Sequence, residues 1–304
     1  MSDFLVAGLL HMETIVKVDK IPVEFNSLTS RHDTIFTSIG GDAYNMALAL
    51  KWLGNNTDLM AMVDEKIGPG IINSNTESEI KLSSEYILPR LKAMPSAVTL
   101  YDENKRQQIF EDTKDLRNTQ YDIELFEKRI ETADAVVMSN LQFCKPLIDM
   151  ALERHIPIAV NIRDFRKEDL NFNSKFLDAA DIIYVSDDNL VKDSYEFVKE
   201  IAELYSPEII ILGQGAKGVL IYSSKENIFA EYKSVKTLEI VNTVGAGNAL
   251  FSCFLHYYLK DGNAVAAIKN ALLFASYKIG FVGTSNGFMT EEQINHWRNI
   301  IWNI

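Results

Sequence analysis

Val241-Asn242-Thr243-Val244-Gly245-Ala246-Gly247-Asn248-Ala249-Leu250-Phe251 is the stretch on which the fold turns. Gly245, Ala246 and Gly247 are small enough to break whatever precedes them. Leu250, Phe251, Phe254, Leu255 and Tyr258 then recur at helical spacing. A tight turn therefore feeds a helix N-terminus, where free backbone N–H groups and the positive end of the helix dipole make an anion site. Small residues let a phosphate come close to the backbone. The same pattern also suits a plain helix start with no ligand, so its meaning depends on its surroundings.

Far upstream, Gly40-Gly41 leads into a second helix. Ala43, Met46, Ala47, Leu50 and Leu53 lie on one face, and Gly54 stands at the C′ position. Asp42 and Asn45 occupy its first turn. Asp42 reads either as a charge complementing the dipole or as a ligand-binding group.

Around these two turns the chain reads as an α/β protein. Residues 4–10 read as a buried strand, and 14–19 and 35–38 as strands of an exposed sheet, separated by a polar loop. Residues 58–63 suit a strand and 65–83 a helix. Residues 97–101 and 107–110 flank Asp102-Glu103-Asn104-Lys105 as a hairpin. From about 122, Val/Ile-rich strands at 134–138, 156–160, 181–185 and 208–212 alternate with helices at 122–131, 146–154 and 188–204. That rhythm predicts a mostly parallel sheet covered on both faces. A hairpin at 218–222 and 228–232 and helices at 248–260, 263–279 and 290–302 complete the chain. The expectation is one domain over 1–304 carrying a small β-sheet lid, its strands inserted at about 12–38 and 95–112.

Bulk properties narrow the function. The 304 residues carry a formal net charge of −12, unsuited to binding nucleic acid or an anionic membrane. The apolar start is too short and too acidic downstream for a signal peptide, and no run reaches the ~18 apolar residues of a membrane span. Cys144 and Cys253 read as buried thiols, consistent with a cytoplasmic setting.

In this order and spacing, the two glycine motifs resemble the ribokinase/PfkB family of carbohydrate kinases. Gly40-Gly41-Asp42-Ala43-Tyr44-Asn45-Met46-Ala47 through Leu53-Gly54 is similar to the N-terminal motif. The stretch 242–251 is similar to the C-terminal motif Asp-Thr-x-Gly-Ala-Gly-Asp-x-Phe. Shorter likenesses lie at Val63-Asp64 to Gly68, Asn161-x-Arg163, Gly215-Ala216-Lys217-Gly218 and Gly283-Thr284-Ser285-Asn286-Gly287. The resemblance implies a Rossmann-like ribokinase fold. It also implies transfer of the ATP γ-phosphoryl, with Mg²⁺, to a hydroxymethyl group of a sugar, polyol or nucleoside, and a homodimer through the lid. A monovalent cation is left open, and the metal ligands are not assigned.

Carried over residue by residue, the resemblance puts His11, Glu13, Gly41, Asp42, Asn45 and Arg163 on the substrate side. Gly213, Gly215, Lys217, Gly218, Asn270 and Asn286 fall on the nucleotide side, and Gly245, Ala246 and Gly247 at the phosphoryl group. His11 also reads as a surface or lid-contact histidine, and Glu13 as a solvated strand-end charge. Asn248 stands in the position of the general base, where an amide cannot serve. Asn242 replaces an Asp that shapes the family's cation-side loop, and Ala159 replaces the Asp of an Asp-x-Asn-x-Arg stretch. Ser186-Asp187-Asp188-Asn189 replaces a metal-linked Asn-x-x-Glu, with Asp187 and Asp188 as possible compensating carboxylates, and Gly213 replaces a Thr. So scattered a set reads as natural drift away from metal-assisted catalysis. The alternative to a kinase is a non-catalytic sugar, nucleoside or nucleotide sensor on the same scaffold.

Overall fold

The computed structural model describes residues 1–68, 70, 82–163 and 165–302. Thirteen strands among these form two sheets. The larger has the order β13-β12-β11-β10-β9-β8-β1-β4-β5. Its members are β1 (Asp3–Ala7), β4 (Asn56–Asp64), β5 (Ile87–Leu91), β8 (Ala135–Ser139), β9 (Ile158–Ile162), β10 (Ile182–Ser186), β11 (Ile209–Gly213), β12 (Gly218–Ser223) and β13 (Ile228–Lys233). All pairings are parallel except those of β12 with β11 and β13.

Both faces of this sheet are buried because its central strands are apolar at most positions. On β1, Phe4 and Val6 join one core cluster while Leu5 and Ala7 join the other. One face carries α1 (Asp42–Trp52), α6 (Ala246–Asp261), α7 (Ala264–Lys278) and α8 (Glu291–Trp302). The other carries α2 (Ile123–Ile130), α3 (Lys145–Glu153), α4 (Leu170–Ala179) and α5 (Ser194–Tyr205). Each fully buried Leu, Ile or Phe stabilises by about 1.5–3 kcal/mol relative to exposure.

The smaller sheet has the order β3-β2-β6-β7, from β2 (His11–Lys17), β3 (Ile35–Gly40), β6 (Ser96–Tyr101) and β7 (Gln107–Asp112). It unites the early exposed strands with the 97–110 hairpin, as the alternation predicts.

Several expectations need correction. Residues 4–10 are not one strand. β1 ends at Ala7, and the chain leaves the main sheet to begin β2 at His11. The break is fixed by Asp42 Oδ1, which accepts from Leu9 N at 3.3 Å. The helix expected from 188 starts at Ser194, because Asp193 caps it by accepting from Tyr195 N and Glu196 N. The edge strand β5 and helix α4 were not expected. Pro89 obscures β5, although proline is tolerated on a sheet edge. The helix expected at 65–83 lies mostly outside the described residues.

Candidate active site

The site forms where the C-terminal ends of the parallel strands meet the starts of α1 and α6, beneath the small sheet. Gly41 precedes α1 with φ +113°, and a side chain there would collide with the Leu9 backbone. Gly245 caps α6 in the left-handed region at φ +81°, and a Cβ on it would lie 3.1 Å from Thr284 O. Only glycine meets both demands.

At the start of α6, the Ala246 N–H turns back to Thr243 O at 3.3 Å. The N–H groups of Gly245, Gly247 and Asn248 have no acceptor among the described residues. The free donors therefore differ from the expected Gly245-Ala246-Gly247 set at one place, with Asn248 standing in for Ala246. Under it lies Tyr184 on β10, 8% exposed and stacked on Phe251 at 5.4 Å. A Cβ on Gly213 would stand 2.6 Å from its hydroxyl, and one on Gly247 would collide with it. The phenol thus fills the space between sheet and helix, which explains glycine at both positions.

Asn161 joins the two glycine motifs. Its Nδ2 lies 3.5 Å from Asp42 Oδ2 and 3.3 Å from Asn248 Oδ1. Asp42 Oδ1 also accepts from Ala43 N at 2.9 Å, and Oδ2 pairs with Arg163 Nε at 3.2 Å. Arg163 reaches in turn to Glu111 on the lid strand β7. His11 is 7% exposed, and its Nδ1 lies 3.8 Å from Glu111 Oε2, beyond hydrogen-bond reach. Burial, then the Arg163 charge, pushes the imidazole down to about 4 against the pull of Asp42. Its Nδ1, Asn45 Oδ1 and Ser139 Oγ are buried polar atoms with no hydrogen-bond partner among the described residues.

Glu13 is 4% exposed rather than a solvated strand-end charge. It accepts from Thr284 Oγ1 at 2.7 Å and Thr99 Oγ1 at 3.4 Å. Burial raises its pKa, opposed by those two bonds and by Lys278. With Gln107 Oε1 accepting from Thr243 Oγ1 at 3.4 Å, the lid meets the core at Arg163, Thr284 and Thr243.

Gly215 and Lys217 lie exposed in the turn from β11 to β12, with Gly218 buried behind them. Asp187 N bonds to Gly213 O at 2.9 Å. The Asp187 carboxyl is raised by burial first and then by Asp188, with Lys217 opposing. Asn286 is exposed on the 279–287 loop. Asn270 is 3% exposed within α7, its Oδ1 unpartnered among the described residues.

Sequence reasoning missed Glu111, Thr99, Ser139, Tyr184 and Lys278. A signal existed for two of them. Glu111 shares the inward face of the hairpin with residues 97 and 99, and Lys278 continues the buried stripe of Ala267, Ala271 and Ala275.

The chain is similar to characterised kinases. The profile described as pfkB family carbohydrate kinase matches residues 1–291. A deoxyribokinase of Salmonella typhi is 34% identical over 91 residues, a match covering 30% of this chain and only 29% of that relative. A microbiome-derived acarbose kinase superposes with a TM-score of 0.84 at 18% identity, over 97% of this chain and 98% of the other. Arabidopsis thaliana ribokinase, solved with ribose and ATP, gives 0.78 at 14% identity, over 97% and 98%. At such identities the structures speak for the fold alone.

Proposed function

The chain belongs to the pfkB family of carbohydrate kinases, and from that premise we propose that it is an ATP-dependent kinase of a sugar, polyol or nucleoside hydroxymethyl group, slowed by the amide at residue 248. The whole chain, 1–304, is read as the one working unit.

The observation that carries this reading is the Asp42–Asn161–Asn248 chain of contacts, at 3.5 and 3.3 Å. It sets a carboxylate suited to alcohol hydroxyls two contacts from a cradle suited to a phosphoryl group. The buried, unpartnered Asn45 Oδ1, His11 Nδ1 and Ser139 Oγ add the acceptor and donor capacity a polyhydroxylated ligand needs.

In the transfer, the alcohol oxygen forms a bond to the γ-phosphorus while the bond from that phosphorus to the ADP oxygen breaks. The N–H groups of Gly245, Gly247 and Asn248 meet the charge developing on the phosphoryl oxygens. The alcohol proton must also leave. Asn248 cannot take it at neutral pH, so it passes to water, and loss of a positioned base slows the step by about 10²–10⁴-fold. Lys217 and the 279–287 loop with Asn286 would flank the nucleotide.

Asp187 and Asp188 suit Mg²⁺, which commonly takes one or two carboxylates beside substrate phosphates. Burial first, and then Asp188, raises the Asp187 carboxyl, and a cation would offset both effects. When bound, the ion would offset charge on the phosphates.

A second reading is favoured by one observation: Asn248 Oδ1 is committed to Asn161, as suits a site built to hold a ligand rather than turn it over. One assay separates the two. ADP release is measured against a panel of sugars, polyols and nucleosides for the native chain and Asn248→Asp. Slow substrate-dependent release by the native chain, accelerated about 10²-fold or more in the variant, is the expected result. Ligand binding by calorimetry with no phosphorylated product from either protein would assign the chain to the sensor class.

A further inference from the structure

Lys278 ends α7 and is 0% exposed. An ammonium so deeply buried is costly unless something holds it. The charged group that faces it is Glu13 on β2. Burial pulls Lys278 down to about 8 with Glu13 opposing, which leaves it protonated at neutral pH. Its Nζ donates to Gly283 O.

That bond reaches the cradle in one further residue. Thr284 Oγ1 donates to Glu13 Oε2 at 2.7 Å, and Thr284 O lies 3.1 Å from where a Cβ on Gly245 would stand. On the other side, Ile279 O accepts from Val241 N at 2.8 Å and from Asn242 N at 3.2 Å. The end of α7 therefore bonds both segments that lead to the anion site, Lys278 to Gly283 and Ile279 to Val241 and Asn242.

The family resemblance leaves room for a monovalent cation beside the loop that residue 242 shapes. The residues present do not fit one. Asn242 Oδ1 is committed to Val244 N at 2.9 Å, and Asn242 Nδ2 is a buried donor without an acceptor among the described residues. An N–H group repels a cation. The Gly283 carbonyl, a natural oxygen ligand, is engaged by the lysine.

We propose that the Lys278 ammonium is a built-in monovalent cation, a positioning residue that holds the Gly283–Thr284 turn against Gly245 so that the anion cradle needs no bound alkali ion. The importance of the cradle rests on the phosphotransfer reading; the substitution of lysine for an ion does not.

Thermal melting in potassium chloride and in choline chloride at matched ionic strength tests this without nucleotide or alcohol. The native Tm is expected to agree between the two salts within about 1 °C. Lys278→Met should melt lower in choline and recover about 2–3 °C in potassium or ammonium chloride, as an ion enters the vacated place. Lys278→Arg should need neither salt. A native chain that gains 2–3 °C (roughly what a well-bound ion supplies) specifically from potassium overturns the proposal. So does a Met variant indifferent to both ions, which would make Lys278 a packed helix end. If the Met variant does not fold, the native and Arg comparisons decide. Calorimetry with ATP follows, expecting less than about a twofold change in native affinity between the salts. A native chain that binds no ATP sinks the nucleotide reading, while the melting result still decides the cation.

Discussion

At the scale of single residues, His11 gives the clearest pH signature. Its imidazole is held at about 4, chiefly by burial and then by Arg163, against about 6.5 in the unfolded chain. Between those values the unfolded state binds more protons, so stability is full above about 6.5 and falls as pH drops toward 4. From pH 7 to pH 5 this group should remove about 2 kcal/mol. Urea denaturation of the native chain and His11→Gln at the two pH values reads the difference. The variant should lose about that much less on acidification, and parallel losses would show that His11 is not the titrating group. Asp42, Asn45 and the Gly245 cradle were legible in sequence because they are local: a glycine, a helix start, a polar first turn. The burial of Glu13 was not. Its partner Thr284 lies 271 residues away, so nothing near Glu13 announces that it is buried rather than solvated. Asn161, like Glu13, was noticed only through a resemblance, and its bridging place emerges from the fold.

Elements show the same division. Apolar period gave the parallel strands other than β5 and most helices. It failed at α4, where Asn171, Asn173 and Ser174 dilute a stripe of Phe172, Phe176 and Leu177. There Lys145 lies 4.0 Å above the Phe172 ring, a tertiary contribution that no local pattern carries. The lid is an element whose placement depends on a few polar contacts: Glu111 with Arg163, Gln107 with Thr243 and Glu13 with Thr284. Glu111 is the one of these that also stands 3.8 Å from His11. Glu111→Ala should therefore release β7 while leaving the doubly covered sheet intact. Hydrogen exchange at residues 107–112 is expected to rise by about tenfold, the measure of about 1.4 kcal/mol of local opening, with exchange in β1 and β8 unchanged. Equal acceleration in both sheets would mean that the pair supports the whole fold. Arg163, still bound to Asp42, should keep the site's charge pattern in that variant.

For the whole molecule, the distribution of charge over the lid sets an expectation about assembly. The chain as a whole is acidic, at −12. Yet the outward face of the small sheet is almost without charge. Strand register puts Thr14, Val16, Ile35, Thr37, Val98, Leu100 and Phe110 together on it, with Asp112 at one end. Ile35 is 65% and Phe110 55% exposed. The inward face of the same strands mixes Glu13, Glu111 and Thr99 with the buried Ile15 and Ala97, so the outer side lacks the charge that a solvated sheet face carries. β3 and β7 also leave two free edges in a four-stranded sheet. An apolar face and open edges together favour a second copy of this chain, lid against lid, with the −12 of each copy carried away from the contact. A stable contact of this kind buries about 1,200–2,000 Å², and a charge at its centre is costly. Light scattering at micromolar concentration is expected to give a dimer for the native chain and a folded monomer for Val98→Glu combined with Phe110→Glu. A native monomer would leave the apolar face without this explanation. A dimer that survives both substitutions would place the contact elsewhere on the molecule.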